Sequence, residues 1–552
     1  MNQVDPRLDS LAALNQPPLF IGINAYSSDS LVVDITAKFP RVVRKELELL
    51  GGHIFSCNAQ ELARMANSNL PHLHSYGPGG ERRDIVEFHP AWHSLIRLSI
   101  KDGLHCSVWD RSVDPEIRKQ AHKIRAARLY LMAQLEAGHL TVPCITSASV
   151  VALMASPKIQ KDWVRKILSR EYDPTNKSIM HKSFATIGLG LTEKKGGTDA
   201  DSITSSGQKI SDGIYCLSGH KWFISAPMSD AFIMLARVEK NVSCFLVPRL
   251  LEDNSSNGLF YQRLKNKVGN RSNATVEIEF SNTFGFLLGD LSSGTSPVDD
   301  MKILLYLDYA IISSAEMRAS LAETVHYLRR RSVFGRNLID QPLMSRVIAD
   351  MSLDVAAATA LSFRLANVFD DAKYNSIDAS YARIMAPVTK YWCCKIAPNI
   401  IAEAIECIGG SGYVEDRPIA RQYMEAPVNS ILAGSSNSAV LDLLNLLEKS
   451  NNLFEQVFAY LENDLGSYGK RAVDLLKETV GLCQEDMGLS RLLIERMALV
   501  AAAAALYRLG AVNIADAFLE TRVFGNYRST YGSLPSRFNA SNIVDSLYPD
   551  MG

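Results

Sequence analysis

No apolar run in this sequence is long enough to cross a bilayer. The longest, Met497 to Tyr507, reaches about half of the roughly 20 residues a spanning helix needs, and its five consecutive alanines fit close helix packing better. Its nine cysteines include no CxxC pair, and Cys393-Cys394 are the only close neighbours. Scattered thiols in odd number suit a reducing cytoplasm, where they act as small buried apolar residues rather than as a disulfide framework. Excess charge is missing too: 58 Lys+Arg stand against 59 Asp+Glu, a net of −1, so nothing global draws the chain to nucleic acid or an anionic membrane. The opening Met1-Asn2-Gln3-Val4-Asp5-Pro6-Arg7 has no basic stretch followed by an apolar core, and no signal peptide is expected. Internal repeats and low-complexity segments are also lacking. A composition of 47% hydrophobic and 21% charged residues describes an ordinary soluble, cytoplasmic globular protein. At 552 residues it is too long for one core, and about two to four domains are expected.

The hydrophobic period changes twice along the chain. Up to about residue 180 apolar residues recur at three- and four-residue spacing, as in Val42–Leu50, Ala91–Lys101 and Asp114–Glu136, with Ser75–Gly80 as a clear break. From about 183 to 289 the runs are short and rich in β-branched and aromatic residues, such as Gly213–Leu217, Ala231–Ala236, Ser243–Val247 and Ala274–Phe280. Turn residues separate them, which argues for a compact antiparallel barrel or sandwich. Long helical patterns return from Met301 to about Lys449, broken at Gly335, Pro342 and Gly409-Gly410, as in a helical bundle. A further helical block runs from Leu453 to Phe524, and the tail after Tyr527 is expected to be loosely structured. The expected domains are therefore 1–182 (helical), 183–290 (β-barrel), 291–450 (helical bundle) and 451–552 (helical extension), an α+β multidomain chain.

Several segments carry chemistry. Gly190-Leu191-Thr192-Glu193-Lys194-Lys195-Gly196-Gly197-Thr198-Asp199 sits where the pattern turns from helix to strand. Glycines there let backbone approach a flat ligand, and the hydroxyls and amides can bond ring carbonyls or phosphates; on spacing alone it reads equally as a polar loop entering a domain. Gly219-His220-Lys221-Trp222-Phe223-Ile224-Ser225 sets aromatics beside a hydroxyl, as for a planar cofactor or simply a β core. Arg331-Ser332-Val333-Phe334-Gly335, with Gln341, could grip a diphosphate through a bidentate guanidinium; the alternative is a solvated basic run, Arg329-Arg330-Arg331. Gly409-Gly410-Ser411-Gly412-Tyr413 is a glycine-rich turn, a weak signal by itself. His89 and His93 have metal-ligand spacing, but Pro90 lies between them without an obvious carboxylate, so packing is expected and no metal site.

Taken together and in this order, these segments resemble the acyl-CoA dehydrogenase family, with its T-E-x-x-x-G-S-D, G-x-K-x-W-I-T, R-x-x-F-G…Q and G-G-x-G-Y motifs. Thr198, Phe223 and Ser225 replace the usual Ser, Trp and Thr and keep their character. His89–His93, Asn266–Ala274 and Pro427–Ile431 narrow the resemblance to the AidB-like branch, which has an added C-terminal helical domain. The resemblance implies an N-terminal all-α domain, a middle antiparallel β-barrel and a C-terminal bundle with a helical extension. It implies FAD as cofactor, bound by Leu191, Thr192, Gly197, Thr198, Phe223, Ser225, Arg331, Phe334, Gln341, Gly409, Gly410, Ser435 and Asn437. In the family the Arg331 and Gly409-Gly410 segments reach the dinucleotide of a neighbouring subunit, so a homo-oligomer, tetramer or dimer, is expected, with acyl-CoA as ligand.

Against that background one residue is out of place. The family's catalytic base, a Glu that takes the substrate's α-proton, falls on Ala433. A subset of the family carries this Glu on the first long bundle helix, and that position is Leu305. Tyr306 and Leu432 are altered as well. General-base help is worth about 10²–10⁴ in rate, so impaired α,β-dehydrogenation is expected. Other carboxylates, Asp308, Glu425 and Glu415-Asp416, leave open an active oxidoreductase with another base. The branch's association with alkylation and stress responses raises DNA as a partner, yet residues 451–552 hold nine Lys+Arg against twelve Asp+Glu, a net of −3. That charge does not support a DNA groove.

Overall fold

The structure is a computed structural model that describes residues 15–449, 451–525, 531, 534–535 and 537–550; Met1–Arg7, where no leader is expected, lies outside them. Helices Ser30–Thr36 to Pro157–Ile167 make up most of the first region. Arg41–Ile54 shows why they form: Val43, Leu47, Leu50 and Ile54 fall on one face and are buried, while the opposite surface is mostly polar, with Val42 and Leu49 exposed on it. Pro90–Lys101 begins with Pro in its first turn, and the His89 side chain caps it by accepting from Ala91 N. His93 Nδ1 pairs with Tyr172 Oη at 2.8 Å. Both histidines of the metal-like spacing are thus engaged in capping and packing.

The region is helical as expected, with one addition. Strands β1 (His72–Tyr76) and β2 (Arg82–Glu87) form a hairpin around the Ser75–Gly80 loop. Arg82 Nη2 donates to Tyr261 O at 2.7 Å and Asp84 Oδ2 accepts from Tyr261 N at 3.1 Å, so the hairpin is docked on the middle domain. Its mostly polar composition hid it, because its apolar contact with the barrel core comes down to Leu73 and Val86, one cross-strand pair.

The middle domain contains β3 (Ile187–Gly190), β4 (Ser206–Ser211), β5 (Ile214–Ser225), β6 (Ala231–Val238), β7 (Asn241–Pro248), β8 (Leu259–Leu264) and β9 (Thr275–Leu288). Their order is β3-β5-β4-β6-β7-β9-β8, with further pairings β3–β6 and β5–β9 that draw the sheet round on itself. Most pairs are antiparallel; β3 runs parallel to β6. Tyr215, Leu217, Phe232, Phe245, Val276 and Ile278 fill a core of its own. The turn between β4 and β5 uses Gly213 at φ 74°, the left-handed region that Gly enters freely.

The bundle is built on helices Ser296–Arg330, Pro342–Asp371 and Ser376–Ile408, followed by Pro418–Asn429 and Ser436–Lys449. Ser296–Arg330 is buried almost all round from Leu305 to Leu328. Two of its buried carboxylates are paired with arginines: Arg125 grips Asp308 through two bonds, 2.5 and 2.9 Å, and Arg417 meets Glu323 at 3.3 Å. Helices Asn451–Leu465, Gly469–Glu485 and Ser490–Arg508 form the extension, and the alanine run 501–505 is buried in it. Part of the tail expected to be loose is helical: Ala540–Leu547, capped by Asn539, buries Ile543, Val544 and Leu547 against the bundle. Among the described residues no helix is long and apolar enough to cross a membrane.

One buried pair ties the 191–198 loop to the barrel. Lys221 Nζ contacts Glu193 Oε1 at 2.7 Å with both side chains fully buried. Thr204 N and Oγ1 each donate to Glu193 Oε2 at 2.7 Å, and Ser205 N adds a longer bond. Burial pushes the Glu193 carboxyl up, but the Lys221 ammonium and these donors outweigh it and hold it at about 2, against an ordinary 4.5. Burial pushes Lys221 down. Glu193→Gln leaves a buried ammonium without its counter-charge, and urea unfolding is expected to show a loss of about 3–5 kcal/mol. Because the folded-state pKa is depressed, this contribution is present in full above pH 4.5 and fades as pH falls toward about 2. The gap between wild type and Glu193→Gln should therefore close over that range; a constant gap would contradict the ionic role.

Candidate functional site

Strand β5 carries a bulge where the flavin-side aromatic is expected. Lys221 pairs with Ile278 and Ile224 with Val276, so three steps on β5 face two on β9. Bulges re-aim side chains beside sites, and here Phe223 is left 45% exposed on an otherwise packed strand. Lys265 Nζ lies 3.4 Å from the Trp222 ring centroid and 4.6 Å from that of Phe223. Ser225, at the end of β5, faces Leu189 across the sheet. Leu191 and Thr192 follow β3 directly, and Thr192 O accepts from Trp222 N at 2.8 Å. Gly197 packs against Thr192 so tightly that a Cβ would stand 2.9 Å from Thr192 Oγ1, which requires glycine.

The loop then crosses to the bundle. Thr198 Oγ1 lies 3.5 Å from Ser438 Oγ, and Ser435 Oγ is 3.3 Å from the same hydroxyl. These groups flank the Ser430–Gly434 turn, whose carbonyls are held by one buried cation: Lys390 Nζ donates to Ser430 O at 3.0 Å and to Gly434 O at 2.5 Å. Burial pushes Lys390 down. Ala433 itself sits at φ 58°. Left-handed backbone at a residue other than Gly costs roughly 1–2 kcal/mol and clusters at functional sites.

Tyr306 closes this face. Its Oη stands 3.7 Å from where a Cβ on Gly434 would lie, and it donates to Asp442 Oδ2 at 2.5 Å. Lys302 Nζ meets the same carboxylate oxygen at 3.1 Å. Burial, then the Asp442 charge, pushes the Tyr306 phenol far up. Leu305 is buried. Sequence reasoning missed Lys390 and Asp442; the available signal was a lone Lys and a lone Asp inside otherwise apolar helical stretches.

Of the carboxylates considered as substitutes for the base, Asp308 is bound by Arg125. Glu425 accepts from Asn270 N at 2.5 Å and Asn270 Nδ2 at 2.8 Å, and burial with the Glu136 charge pushes it to about 7. Glu415 is exposed, 4.0 Å from Arg271. Each is engaged with partners of its own, and Asp308 and Glu425 serve the packing between domains.

The remaining expected residues form a second group. Arg331, 26 positions past Leu305, caps the end of the Ser296–Arg330 helix that carries Leu305, about 39 Å away along its axis. Phe334 is 94% exposed at φ 53°, at the tip of a hairpin made by β10 (Ser332–Val333) and β11 (Arg336–Asn337). Gln341 Nε2 braces this hairpin through Val333 O at 3.0 Å. Arg331 lies 6.0 Å from the Tyr327 ring, and Arg417, after the Gly409-Gly410 turn, lies 5.1 Å from the same ring. Gly409 and Gly410 have open space where a Cβ would stand, so their backbone is approachable. Asn437, expected at the cofactor, has its Oδ1 bonded by Arg491 Nε of the extension at 2.9 Å. The expected residues thus fall into one group around β5 and the 430–438 segment and a separate group around Tyr327.

Three family models match the chain in order: the adaptive response protein AidB N-terminal domain over residues 15–174, the acyl-CoA dehydrogenase middle domain over 188–283 and the acyl-CoA dehydrogenase C-terminal domain over 307–445. The putative acyl-CoA dehydrogenase AidB of Escherichia coli K12 is 38% identical over 481 residues, 86% of this chain and 87% of that protein. The crystal structure of Caenorhabditis elegans ACDH-11 in complex with C11-CoA superposes with a TM-score of 0.83 at 22% identity, covering 98% of this chain and 97% of that one. A structure described as Bd2924 apo-form gives a TM-score of 0.81 at 23% identity, covering 90% of this chain and all of the other. At those identities the two structures speak for the fold alone. With the domain order, the flavin-side motifs and the identity to the bacterial relative in agreement, this chain belongs to the acyl-CoA dehydrogenase family, in its AidB-like branch.

Proposed function

We propose that this protein is an FAD-binding, cytoplasmic flavoprotein that takes an acyl ligand of the acyl-CoA type and performs little or no α,β-dehydrogenation. FAD is the cofactor of the family, and the residues present suit it. Phe223 offers a half-exposed aromatic ring, Thr192, Thr198 and Ser225 offer hydroxyls, and Gly409-Gly410 leave room for close backbone approach. Two groups about 39 Å apart along one helix are further apart than one dinucleotide reaches. The reading therefore includes a homo-oligomer, dimer or tetramer, in which one copy's Arg331 hairpin serves its neighbour's FAD. The bare, exposed Phe334 supports it.

FAD, when bound, supplies a two-electron acceptor. The chain's own residues would have to move the substrate's α-proton, and there the reading turns on one observation. The turn at Ala433 keeps a left-handed backbone, clamped by Lys390, yet presents a methyl group. Leu305 offers no carboxylate either. What remains around the turn is suited to binding: Thr198, Ser435 and Ser438 give hydroxyls, while Leu305, Leu432 and Ala433 give an apolar wall. The C11-CoA found in the nematode relative illustrates the ligand class.

A second reading has one specific support. Asp442 lies next to the turn through Tyr306 Oη and is partly open to solvent. In that reading Asp442 takes a proton by way of Tyr306. It is the weaker reading, since the carboxylate already receives Tyr306 and Lys302. DNA binding is not part of either reading.

Protein as purified should show the absorbance of oxidised flavin and keep it for minutes under anaerobic challenge with acyl-CoAs of several chain lengths. Rapid bleaching would sink the leading reading, and its abolition by Asp442→Asn would then establish the second. Ala433→Glu adds a carboxylate to a backbone already shaped for it. If only the base is missing, the rate of flavin reduction should rise about 10²–10⁴-fold; no gain, with FAD still bound, would mean that Leu305, Tyr306 and Leu432 have closed the acyl site as well.

A further inference from the structure

Two members of the run Arg329-Arg330-Arg331 are spent on the chain's own carboxylates. Arg329 Nη2 meets Asp545 at 2.7 Å, and Arg330 Nη2 meets Asp550 at 3.7 Å. Arg331 differs. Its Nη1 donates to Asn15 O at 2.7 Å and to Gln16 Oε1 at 3.0 Å, both neutral acceptors. Among the described residues it makes no salt bridge. A guanidinium held only by neutral oxygens is aimed without being neutralised, so its charge stays available to an outside anion.

The same segment holds the backbone beside it. Asn15 Nδ2 donates to Ser332 O at 2.7 Å, and Ser332 N donates to Asn15 Oδ1 at 2.6 Å. One carboxamide therefore satisfies both backbone groups of the first residue of β10, as a neighbouring strand would. Asn15 adopts φ 67°, which Asn tolerates better than most residues. The segment is moored further on. His326, pushed down to about 4 by burial and the Arg330 charge and hence neutral, bonds Pro18 O through Nε2 at 3.2 Å. Phe20 packs on the Phe55 and His326 rings at 4.8 and 5.2 Å.

We propose that Asn15–Pro18 is a brace that sets the aim of Arg331 and thereby tunes the affinity for the diphosphate of the FAD held by a neighbouring copy. This rests on the reading that Arg331 reaches that cofactor. Asn15 and Gln16 touch no cofactor in this account; they are positioning residues, and their effect passes through Arg331.

The test measures the FAD dissociation constant by titrating apoprotein and following flavin fluorescence, with assembly mass from light scattering alongside. Asn15→Ala should weaken FAD about tenfold, the worth of one or two hydrogen bonds, and Arg331→Ala about 10–100-fold. Asn15→Asp, which loses the donor to Ser332 O and sets a negative charge beside Arg331, should weaken it at least as much as Asn15→Ala. The double variant Asn15→Ala/Arg331→Ala should be no worse than Arg331→Ala, with circular dichroism and assembly mass unchanged throughout. Wild-type affinity in both Asn15 variants, while Arg331→Ala loses it, overturns the brace and leaves the Arg331 reading standing. Full affinity in Arg331→Ala overturns that reading itself. Losses that multiply in the double variant, or a changed assembly mass in Asn15→Ala, also overturn the brace, because Asn15 would then act by another route.

Discussion

The Ser296–Arg330 helix is the constraint on which the rest of the molecule depends. Its 35 residues form a rod of about 52 Å, buried nearly all round and locked to the first region by Arg125–Asp308 and Asp29–Arg318. Leu305 and Tyr306 sit near one end, and Arg331 leaves from the other. A buried rod of this kind neither bends nor slides cheaply, because shifting it would break several charge pairs taken out of water. The separation between Leu305 and Arg331 is therefore fixed within a copy. On the proposed reading, in which Arg331 serves a neighbouring copy's FAD, assembly and cofactor affinity become one question.

The same rod explains the dense polar wiring around it. Three separate buried bonds cross between the regions: Ser272 Oγ donates to Glu136, Asn270 Nδ2 donates to Glu425 and Asn429 Nδ2 donates to Glu316. Burial, together with the neighbouring Glu425 charge, pushes the Glu316 carboxyl well up, which favours its neutral form. Buried polar bonds of this kind are costly to break. They hold Pro418–Asn429, and hence the Ser430–Gly434 turn, in register with the barrel.

The order of helical, β and helical regions was legible because hydrophobic period is a local property, and so were the glycine and aromatic motifs around Gly197, Phe223 and Gly409. What escaped was set by partners far along the chain. The hairpin β1–β2 packs only the pair Leu73 and Val86 on the barrel, too few apolar residues to announce it, and the Ala540–Leu547 helix is too short to stand without the bundle it covers. Asn15 and Ser332 are 317 positions apart, and Thr198 and Ser438 are 240 apart. No motif written over ten residues can carry such a contact. Lys390 and Asp442 were hidden for the same reason, since their meaning comes only from the turn they meet in space.

Ala433 gains a sharper sense from its surroundings. A position that had merely drifted would be expected to relax toward ordinary backbone or to accept glycine, since left-handed alanine is strained. Instead the turn keeps that conformation, and a buried lysine takes the carbonyls of Ser430 and Gly434 at its two ends. A buried ammonium costs several kcal/mol unless its donors are satisfied, so Lys390 and the turn hold each other in place whatever side chain residue 433 bears. The geometry that would aim a base is thus maintained by interactions independent of the base. On the proposed reading, the carboxylate at 433 is then dispensable to the shape of the turn, because Lys390 holds the Ser430 and Gly434 carbonyls whichever side chain stands between them.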